Sequence, residues 1–286
     1  MINIRFVFTV VACAIGIGIT QAKINPKASF RVAAYNIRYA AEADEKTGNG
    51  WDLRKGPLAR LVTQHDFDIV GTQEGNSRQL EDLKKLLPAF DIVSHPYGGK
   101  GDLHNAAIFY KKELFELIDS GVFWLSETPE VPSIGWDATD RRVCNWAKFK
   151  DKRSGKEFYF FNAHFYWRKH IAKQESGPLM ARKIKEIAGD TPVIVTGDFN
   201  SRPETPQIAA IKKIVNDAYD VTMTAKQGAE GTGFPGGVFQ GDPGGRIDYI
   251  FVSPKIRVLD YKVLSDRYND DRYPSDHLPV TSLIEF

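Results

Sequence analysis

Short apolar runs rich in β-branched and aromatic residues recur along most of the chain. Some alternate with polar positions and others are continuously apolar, which is typical of strands buried on one or on both faces of a sheet. The predicted strands cover residues 30–37, 69–73, 106–110, 115–124, 143–150, 158–165, 193–196, 247–252 and 278–286.

Helical patterns lie between some of these runs. The predicted helices cover residues 57–65, 77–87, 170–188 and 206–215. Pro57 suits the first turn of one helix, and Ser77 is expected to cap the next. Because strands outnumber helices and both are spread over the whole chain, the pattern favours an α/β sandwich, in which packed sheets carry helices on the outside. It argues against a barrel of eight regular repeats.

Two segments are too rich in glycine or proline to form a regular strand or helix. Residues 231–245 contain seven glycines and two prolines, and residues 124–136 contain Pro129 and Pro132. Both segments are predicted to be long loops. Such loops are either functional or plain surface connections, and the sequence leaves that choice open.

The first 22 residues follow a different pattern. Arg5 supplies a positive charge, residues 6–19 are almost continuously apolar, and small residues lie among positions 20–22. This order is typical of a cleaved secretory signal, and it predicts an exported, periplasmic or secreted protein whose mature chain covers residues 23–286. A retained anchor helix and a lipoprotein attached through Cys13 are the alternatives.

The chain of 286 residues has a formal charge of +2, with 42% hydrophobic and 26% charged residues, as expected for a soluble globular protein. Removal of the predicted signal would leave 37 basic and 36 acidic residues. A chain so close to neutral is not expected to bind long polyanions tightly and non-specifically. Cys144 would be the one remaining cysteine, which excludes a disulfide within the mature chain.

Polar side chains stand within, at or beside the ends of six of the predicted strands. Asp198 and Asn200 follow an apolar run, and because they are two residues apart they can point to the same side of an extended chain. The other polar positions are Asn36, Glu74, His164, Asp248 and the pair Asp276 and His277. Each alone is more simply a turn residue, a helix cap or a hydrogen-bonded core histidine. Together they are expected to share a site, because each would otherwise need its own buried partner.

The chemistry of this set suits the hydrolysis of an ester. Carboxylate and amide oxygens without a cysteine cluster favour magnesium or manganese over zinc. A carboxylate such as Asp198 can activate water, and a cationic histidine such as His277 can stabilise negative charge as a bond breaks.

The same segments resemble the motifs of the endonuclease/exonuclease/phosphatase family, whose fold is that of deoxyribonuclease I. The matching segments, in the family's order, are Tyr35-Asn36-Ile37-Arg38, Gly71-Thr72-Gln73-Glu74, Asn162-Ala163-His164, Gly197-Asp198-Phe199-Asn200, Arg246-Ile247-Asp248-Tyr249 and Ser275-Asp276-His277-Leu278-Pro279. The resemblance implies a four-layer α/β sandwich, in which two packed, mainly antiparallel β-sheets are flanked by helices. It also implies a single catalytic domain over residues 23–286.

The resemblance implies a metal centre that holds Mg²⁺ or Mn²⁺. Glu74 is its expected principal ligand, and Asn36 is expected to be a metal ligand beside Glu74. Asp276 is expected either to bind the metal or to order His277. A divalent cation at this place would neutralise charge that develops on a phosphate.

The resemblance also implies catalytic roles. Asp198 is expected to orient or deprotonate the attacking water, and Asn200 to hold Asp198 and the phosphate. His164 is expected to donate a hydrogen bond to a phosphate oxygen. His277, oriented by Asp248, is expected to contact the scissile phosphate.

Three further residues are candidates for substrate binding. Arg142 resembles a basic residue that touches the substrate phosphate in some family members, and a solvated surface charge is its alternative. Bacterial members are expected to carry Asp and His soon after the position of His164, whereas this chain has Tyr166 and Trp167 there. These two rings either stack on a base, a sugar or a lipid headgroup, or they are packing residues.

The expected activity is metal-dependent hydrolysis of a phosphodiester or phosphomonoester. Nucleic acid fragments, nucleotides, inositol phosphates and phospholipid headgroups all remain as substrates, so nuclease, inositol-phosphatase and sphingomyelinase activities are open. A protein that binds phosphorylated ligands without cleaving them is the alternative from a different class. No obligate protein partner is predicted, and a monomer is expected.

Overall fold

The computed structural model describes residues 29–98, 106–269 and 271–286. The predicted signal segment, residues 1–22, and the alternative lipid site at Cys13 lie outside these residues. Within the described ranges, no helix has both the length and the apolar character that a membrane span needs.

The elements alternate along the described chain. In chain order, the strands are β1 (Ser29–Asn36), β2 (Ile69–Gln73), β3 (Phe90–Val93), β4 (Ala106–Lys111), β5 (Phe115–Trp124), β6 (Val143–Asp151), β7 (Glu157–His164), β8 (Val193–Asp198), β9 (Asn216–Asp217), β10 (Gln227–Gly228), β11 (Asp248–Val252), β12 (Arg257–Val258), β13 (Lys262–Val263) and β14 (Val280–Glu285). The helices are α1 (Glu42–Lys46), α2 (Trp51–Gln64), α3 (Ser77–Leu86), α4 (His170–Ala188), α5 (Pro206–Lys212) and α6 (Ala218–Val221).

The strands form two mixed sheets. The first has the order β10-β13-β14-β1-β2-β4-β3, with β12 also paired to β14, and the second has the order β5-β6-β7-β8-β11-β9. Parallel pairs join β1 to β2, β7 to β8 and β10 to β13, and the other pairs in the described chain are antiparallel. Antiparallel pairing therefore dominates, as predicted.

Alternation of side chains along the strands explains how the sheets pack. Val32 of β1 and Phe160 of β7 point into a core between the two sheets. Ala33, on the opposite face of β1, packs in a second core with residues of α2 and α3. Residues of α4 and α5 cover the outer face of the second sheet. These layers confirm the predicted four-layer α/β sandwich.

Helix α2 begins six residues earlier than predicted, so the prediction that Pro57 opens it was wrong. Trp51 starts the helix, is buried, and donates a hydrogen bond from Nε1 to Oδ2 of Asp82 at 3.0 Å. This tertiary contact anchors a first turn that the local sequence does not mark. Pro57 lies inside the helix, where it removes one backbone donor.

The predicted cap of α3 is also corrected by one residue. Asn76, not Ser77, is the N-cap residue, and its side chain accepts a hydrogen bond from the backbone N–H of Gln79. The Gln79 side chain in turn accepts from the backbone N–H of Asn76, which completes a capping box.

Candidate active site

The site lies where the inward-facing positions of several strands change from apolar to polar. In β7, Phe160 faces the inter-sheet core, and His164 lies four residues later on the same face. In β8 the same alternation leads from Ile194 to Asp198. The first sheet contributes Asn36, the last residue of β1. A strand period of two therefore collects polar side chains at one edge of the inter-sheet layer.

Strand pairing brings these groups side by side. β8 lies between β7 and β11, and Asp198 pairs with His164 on one side and with Asp248 on the other. Oδ2 of Asp198 is 3.5 Å from Nε2 of His164. His277, three residues before β14 of the first sheet, reaches the same place, with its Nε2 3.8 Å from Oδ2 of Asp198.

A buried hydrogen-bond network directly beneath the site joins strands β2, β7 and β8. Oδ1 of Asn162 accepts from Nε2 of Gln73 at 2.7 Å and from Oγ1 of Thr196 at 3.1 Å. Nδ2 of Asn162 donates to the carbonyl oxygen of Thr72 at 2.9 Å. Because Gln73, Asn162 and Thr196 stand one or two residues before site residues, the network sets how the strand ends lie relative to one another.

His277 forms an ion pair with Asp248. Its Nδ1 is 2.8 Å from Oδ2 of Asp248, which is fully buried. Burial by itself lowers the pKa of His277, but the negative charges of Asp248 and Asp198 raise that pKa well above its ordinary value. His277 is therefore a cation at neutral pH.

Asp198 is a buried carboxylate with a perturbed pKa. It accepts hydrogen bonds from Nδ2 of Asn36 at 3.0 Å and from the backbone N–H of Asn200 at 2.9 Å. Burial and the charge of Asp248 raise the pKa of Asp198 to about 7, although the charge of His277 lowers it. A carboxylate whose pKa lies near neutrality is suited to accept a proton from water.

Asn36 turns its amide nitrogen, not its oxygen, towards the acidic groups. Nδ2 donates to Oε1 of Glu74 and to Oδ2 of Asp198, both at 3.0 Å, while Oδ1 accepts from the backbone N–H of Arg38. Oε2 of Glu74 also accepts from the backbone N–H of Tyr39 at 3.2 Å. In this arrangement Asn36, which is expected as a metal ligand, donates hydrogen bonds to the carboxylates of Glu74 and Asp198.

Asn200 holds Asp198 through its main chain. Its side-chain Nδ2 donates to the carbonyl oxygen of Phe165 at 3.1 Å, and its φ angle of 46° turns the chain sharply after β8. The expected contact between Asn200 and Asp198 is therefore present, but the backbone N–H of Asn200 makes it. Asn200 also lines the cavity described below.

Asp276 stands on the wall of the site next to Arg38. Nη1 of Arg38 is 3.4 Å from Oδ2 of Asp276, and Nε of Arg38 donates to Oδ2 of Asp44 at 2.9 Å. Burial raises the pKa of Asp276, the charge of His277 opposes this, and the charge of Glu74 adds to it. A negative charge on Asp276 is therefore balanced only in part by its surroundings.

Arg142 lies between His164 and Tyr166 and contacts both. Nη1 of Arg142 lies 2.9 Å from each ring nitrogen of His164. Burial, and then the charges of Arg142 and His277, lower the pKa of His164 well below its ordinary value, so this histidine is neutral. Tyr166 is buried, bonds Oγ1 of Thr139 at 2.8 Å, and has its ring 5.6 Å from Cζ of Arg142. The structure thus places Tyr166 behind Arg142 and not at the rim.

The polar groups open into a cavity of about 890 Å³. Trp167 lines this cavity with half of its surface exposed, unlike its neighbour Tyr166. Residues 233–237 of the glycine-rich loop form another part of the wall, and Gly233 bridges to His277. The predicted loop 231–245 is therefore part of the site.

Sequence reasoning missed most of the basic residues of this cavity. Among the described residues, its arginines are Arg38, Arg141, Arg142 and Arg202. Of these, Arg142 alone was a candidate. Arg38 and Arg202 each stand two residues after a candidate asparagine, and Arg141 adjoins Arg142, so closeness to the motifs was the available signal.

The acidic groups of the cavity fit a divalent cation. Glu74 and Asp276 offer carboxylate oxygens on its wall, and a cation would relieve the unbalanced charge that helps to raise the pKa of Asp276. Asp198, Asp248 and His277 form another set, whose ligand atoms lie within 4.8 Å of one another. In that set a protonated His277 has no lone pair to offer a metal.

The chain matches a family model described as the Endonuclease/Exonuclease/phosphatase family over residues 33–277, which include the polar strand-end residues described above. The chain belongs to this family. The family predicted from the sequence is thereby confirmed. Endonucleases, exonucleases and phosphatases all hydrolyse phosphoesters, and the site of this family member has side chains suited to that reaction.

Solved structures from Bacteroides thetaiotaomicron are similar to this family member over nearly their whole length. An endonuclease/exonuclease/phosphatase family protein shares 40% sequence identity and a TM-score of 0.84, covering 91% of this chain and 98% of that one. A mannosyl-6-phosphatase shares 39% identity and a TM-score of 0.83, covering 90% of this chain and 100% of that one. Both similarities agree with the predicted fold.

A curated relative is similar over a shorter stretch. An uncharacterised protein of Acanthamoeba polyphaga mimivirus is 32% identical over 160 residues. The alignment covers 53% of this chain, and it spans 59% of the length of the mimivirus protein.

Proposed function

We propose that this protein is a metal-dependent phosphoesterase that hydrolyses a phosphomonoester by direct attack of water on phosphorus. One observation carries the proposal. A carboxylate of raised pKa, Asp198, and a cationic histidine, His277, face each other across 3.8 Å in a cavity that Glu74 and Asp276 also line. A base for water and a positive charge for the phosphate thus lie next to each other at one reaction centre.

Asp198 would act on the nucleophile. Its Oδ2 is held by Asn36 and its Oδ1 by the backbone N–H of Asn200, so its direction is fixed before substrate binds. A water beside Asp198 can be oriented and deprotonated by it, which is general-base help worth about 10²–10⁴-fold. The proton then resides on Asp198.

The two histidines would act on the phosphate. His277, kept cationic by Asp248, can stabilise negative charge as the ester bond breaks or donate a proton to the leaving oxygen. His164 is neutral, and its ring can donate one hydrogen bond to a phosphate oxygen beside Arg142. Two differently charged histidines thus serve two different oxygens.

Glu74 and Asp276 would hold Mg²⁺ or Mn²⁺. The ion supplies Lewis-acid stabilisation of charge on the phosphate oxygens. Asn36 keeps Glu74 in place by its hydrogen bond to Oε1. Arg38 does the same for Asp276 by the contact between Nη1 and Oδ2.

Two observations favour a sugar phosphate as substrate. The similar structure from Bacteroides thetaiotaomicron that covers 90% of this chain is a mannosyl-6-phosphatase. The cavity also combines arginines such as Arg142 and Arg202 with the aromatic rings of Tyr39, Tyr97 and Trp167. Guanidinium groups match the oxygens of a terminal phosphate, and aromatic rings can pack on the apolar face of a sugar.

A substrate panel tests this proposal. Purified protein with Mg²⁺ is assayed on mannose 6-phosphate, a phosphorylated mannoside, a nucleotide, single-stranded DNA and RNA, inositol phosphates and sphingomyelin. The highest kcat/KM is expected for the sugar phosphates. A preference for nucleic acid or lipid would reject the sugar-phosphate class but keep phosphoester hydrolysis, and no turnover on any of them would reject the enzyme.

Binding without cleavage is the alternative from another class. Asp198, Asp248 and His277 argue against it, because phosphate binding alone does not need a buried carboxylate of raised pKa. Calorimetry of mannose 6-phosphate binding, followed by analysis of the recovered ligand, separates the two. Tight binding with the ligand recovered intact would support the binding protein.

We also propose that the protein is exported. The order of charged, apolar and small residues in residues 1–22 supports this. Cell fractionation with N-terminal sequencing of the product tests it. A mature chain that starts near Lys23 agrees with the proposal, and a product that keeps its first 22 residues in the cytoplasm contradicts it.

A further inference from the structure

Arg54 of α2 is a fully buried arginine whose side chain lies outside the lining of the active-site cavity. All five of its N–H groups are used, and each acceptor is a main-chain carbonyl oxygen. The acceptors are Asn49 (2.7 Å, from Nε), Ile37 and Pro274 (2.9 Å each, from Nη1), and Arg38 (3.2 Å) and Tyr39 (3.4 Å), both from Nη2.

The surroundings of Arg54 are unusual for a buried charge. Its Cζ lies 5.4 Å from the ring of Trp51 and 5.2 Å from the ring of Phe239. Burial lowers the pKa of Arg54, which reflects the cost of removing the cation from water. An apolar side chain would fill the space without that cost. The five carbonyl oxygens explain the residue type, because only a guanidinium group offers five N–H donors.

Four of those five carbonyl oxygens belong to the loops that carry the site. Residues 37–39 directly follow Asn36 and include Arg38, the partner of Asp276. Pro274 stands just before Asp276 and His277, and the hydroxyl of Ser275 donates to the carbonyl oxygen of Asn36 at 2.7 Å. Phe239 comes from the glycine-rich loop, residues 231–245. Three loops of the cavity wall therefore meet at one guanidinium group.

We propose that Arg54 is a positioning residue, which fixes the loop after Asn36 and the loop before His277 at the spacing that hydrolysis requires. The catalytic part of this inference rests on the proposed function. The guanidinium acts as a rigid planar connector: Nη1 holds one carbonyl from each loop, Ile37 and Pro274, on the same nitrogen. A shift between these loops would move Asp276 and His277 relative to Asn36.

Substitution of Arg54 tests the proposal by two independent readouts. Arg54→Met keeps the length and apolar stem but removes all five donors, and Arg54→Lys keeps the charge and at most three donors. Arg31→Met is the matched control, because Arg31 lies at the other end of β1 and bonds Asp260 through both Nη atoms at 3.0 Å. Each variant is measured for kcat and KM on mannose 6-phosphate and for amide hydrogen exchange.

Arg54→Met is expected to lower kcat by about 100-fold, the effect of displacing catalytic groups by about 1 Å. Amides of residues 36–41 and 274–278 are expected to exchange faster, whereas those of β6 keep their protection. Arg54→Lys should recover part of both losses, whereas a general loss of stability would speed exchange in β6 as well. Arg31→Met should lower the melting temperature but leave kcat within about threefold, far below the loss expected at Arg54.

The outcomes are separable. A folded Arg54→Met protein with wild-type exchange in both loops, or with kcat within about threefold of wild type, overturns the positioning role. If Arg54→Met does not fold, Arg54→Lys tests the proposal in its place. The proposal then requires faster exchange in the same two loops and a reduced kcat for Arg54→Lys. If the wild type itself hydrolyses no phosphoester, the proposed function fails, and hydrogen exchange alone decides whether Arg54 holds the loops.

Discussion

Nδ1 of His277 lies 2.8 Å from Oδ2 of Asp248, and this ion pair joins the two sheets of the sandwich. Asp248 begins β11 of the second sheet, and His277 stands three residues before β14 of the first. The charge of the histidine is thus set by a carboxylate from the opposite layer. The packing of the two sheets therefore keeps His277 positively charged by placing Asp248 beside it.

Removal of either member of this pair is expected to slow catalysis. His277→Gln removes the cation that faces the phosphate and should lower kcat about 10²–10³-fold. Asp248→Asn should lower kcat less, because the His277 ring remains and loses only the Asp248 charge that raises its pKa. The double variant is expected to resemble His277→Gln alone, since the two residues act as a unit. Additive losses in kcat would contradict a shared role.

Asp198→Asn is expected to abolish most turnover and yet stabilise the metal-free protein. The pKa of Asp198 is raised from 3.8 to about 7 in the folded state by burial and by Asp248. Because the unfolded chain releases this proton at lower pH, wild-type stability falls as pH rises from 3.8 to about 7. Asparagine does not titrate, so the stability of Asp198→Asn does not fall with pH for this reason.

Thermal unfolding in EDTA at a series of pH values measures this effect. The melting temperature of Asp198→Asn minus that of wild type should grow with pH from 3.8 up to about 7 and stay constant above. Over this pH range the free energy of unfolding of Asp198→Asn relative to wild type is expected to rise by at most about 4 kcal/mol, because one unit of pKa shift corresponds to about 1.4 kcal/mol. A difference that is the same at every pH would mean that the pKa of Asp198 is not raised.

Gly71→Ala is expected to destabilise the fold by about 2–3 kcal/mol and to lower kcat. A Cβ atom at Gly71 of β2 would overlap Oγ1 of Thr196 and Oδ1 of Asn162, in the network beneath the site. Gly56→Ala is the control: that glycine lies inside α2 with no neighbour closer than 3.6 Å, so alanine should stabilise the helix. Urea unfolding and kcat measure both variants, and equal stability of the two would refute the tight packing at Gly71.

Trp167→Ala is expected to raise KM up to about tenfold and to leave kcat nearly unchanged, because Trp167 lines the cavity but carries no acid, base or carboxylate group. Tyr166→Phe is its matched control. It removes the hydrogen bond to Thr139 but keeps the ring beside Arg142, so it should cost about 1 kcal/mol of stability with KM unaltered. Steady-state kinetics on the preferred substrate separate the two, and a larger KM change in Tyr166→Phe would reverse the assignment.

The position of the site was predictable because strand alternation is local. Asn36, His164 and Asp198 follow apolar residues on the same strand face, so their place at one edge of a sheet can be deduced from period two. The family motifs then placed residues such as Glu74 and His277 in the same cavity. Fold class and layer order followed from the same pattern.

Contacts between distant segments were not predictable. Trp51 starts α2 because it packs against α3 and bonds Asp82, and nothing beside it in sequence marks that. Arg54 lies before the predicted helix 57–65, and nothing in its local sequence marks it as buried. The orientation of Asn36, with its nitrogen towards Glu74, depends on a backbone N–H of Arg38 that only the turn supplies.

The central claim is that Asp198 and a divalent cation together drive phosphoester hydrolysis. The most direct measurement is the initial rate of phosphate release from mannose 6-phosphate after treatment with EDTA, followed by titration with Mg²⁺ or Mn²⁺, for wild type and Asp198→Asn. We expect the wild-type rate to vanish with EDTA and return with the metal, while Asp198→Asn stays at least about 100-fold slower at every metal concentration. Full activity in EDTA, or an Asp198→Asn variant as fast as wild type, would contradict the proposed mechanism.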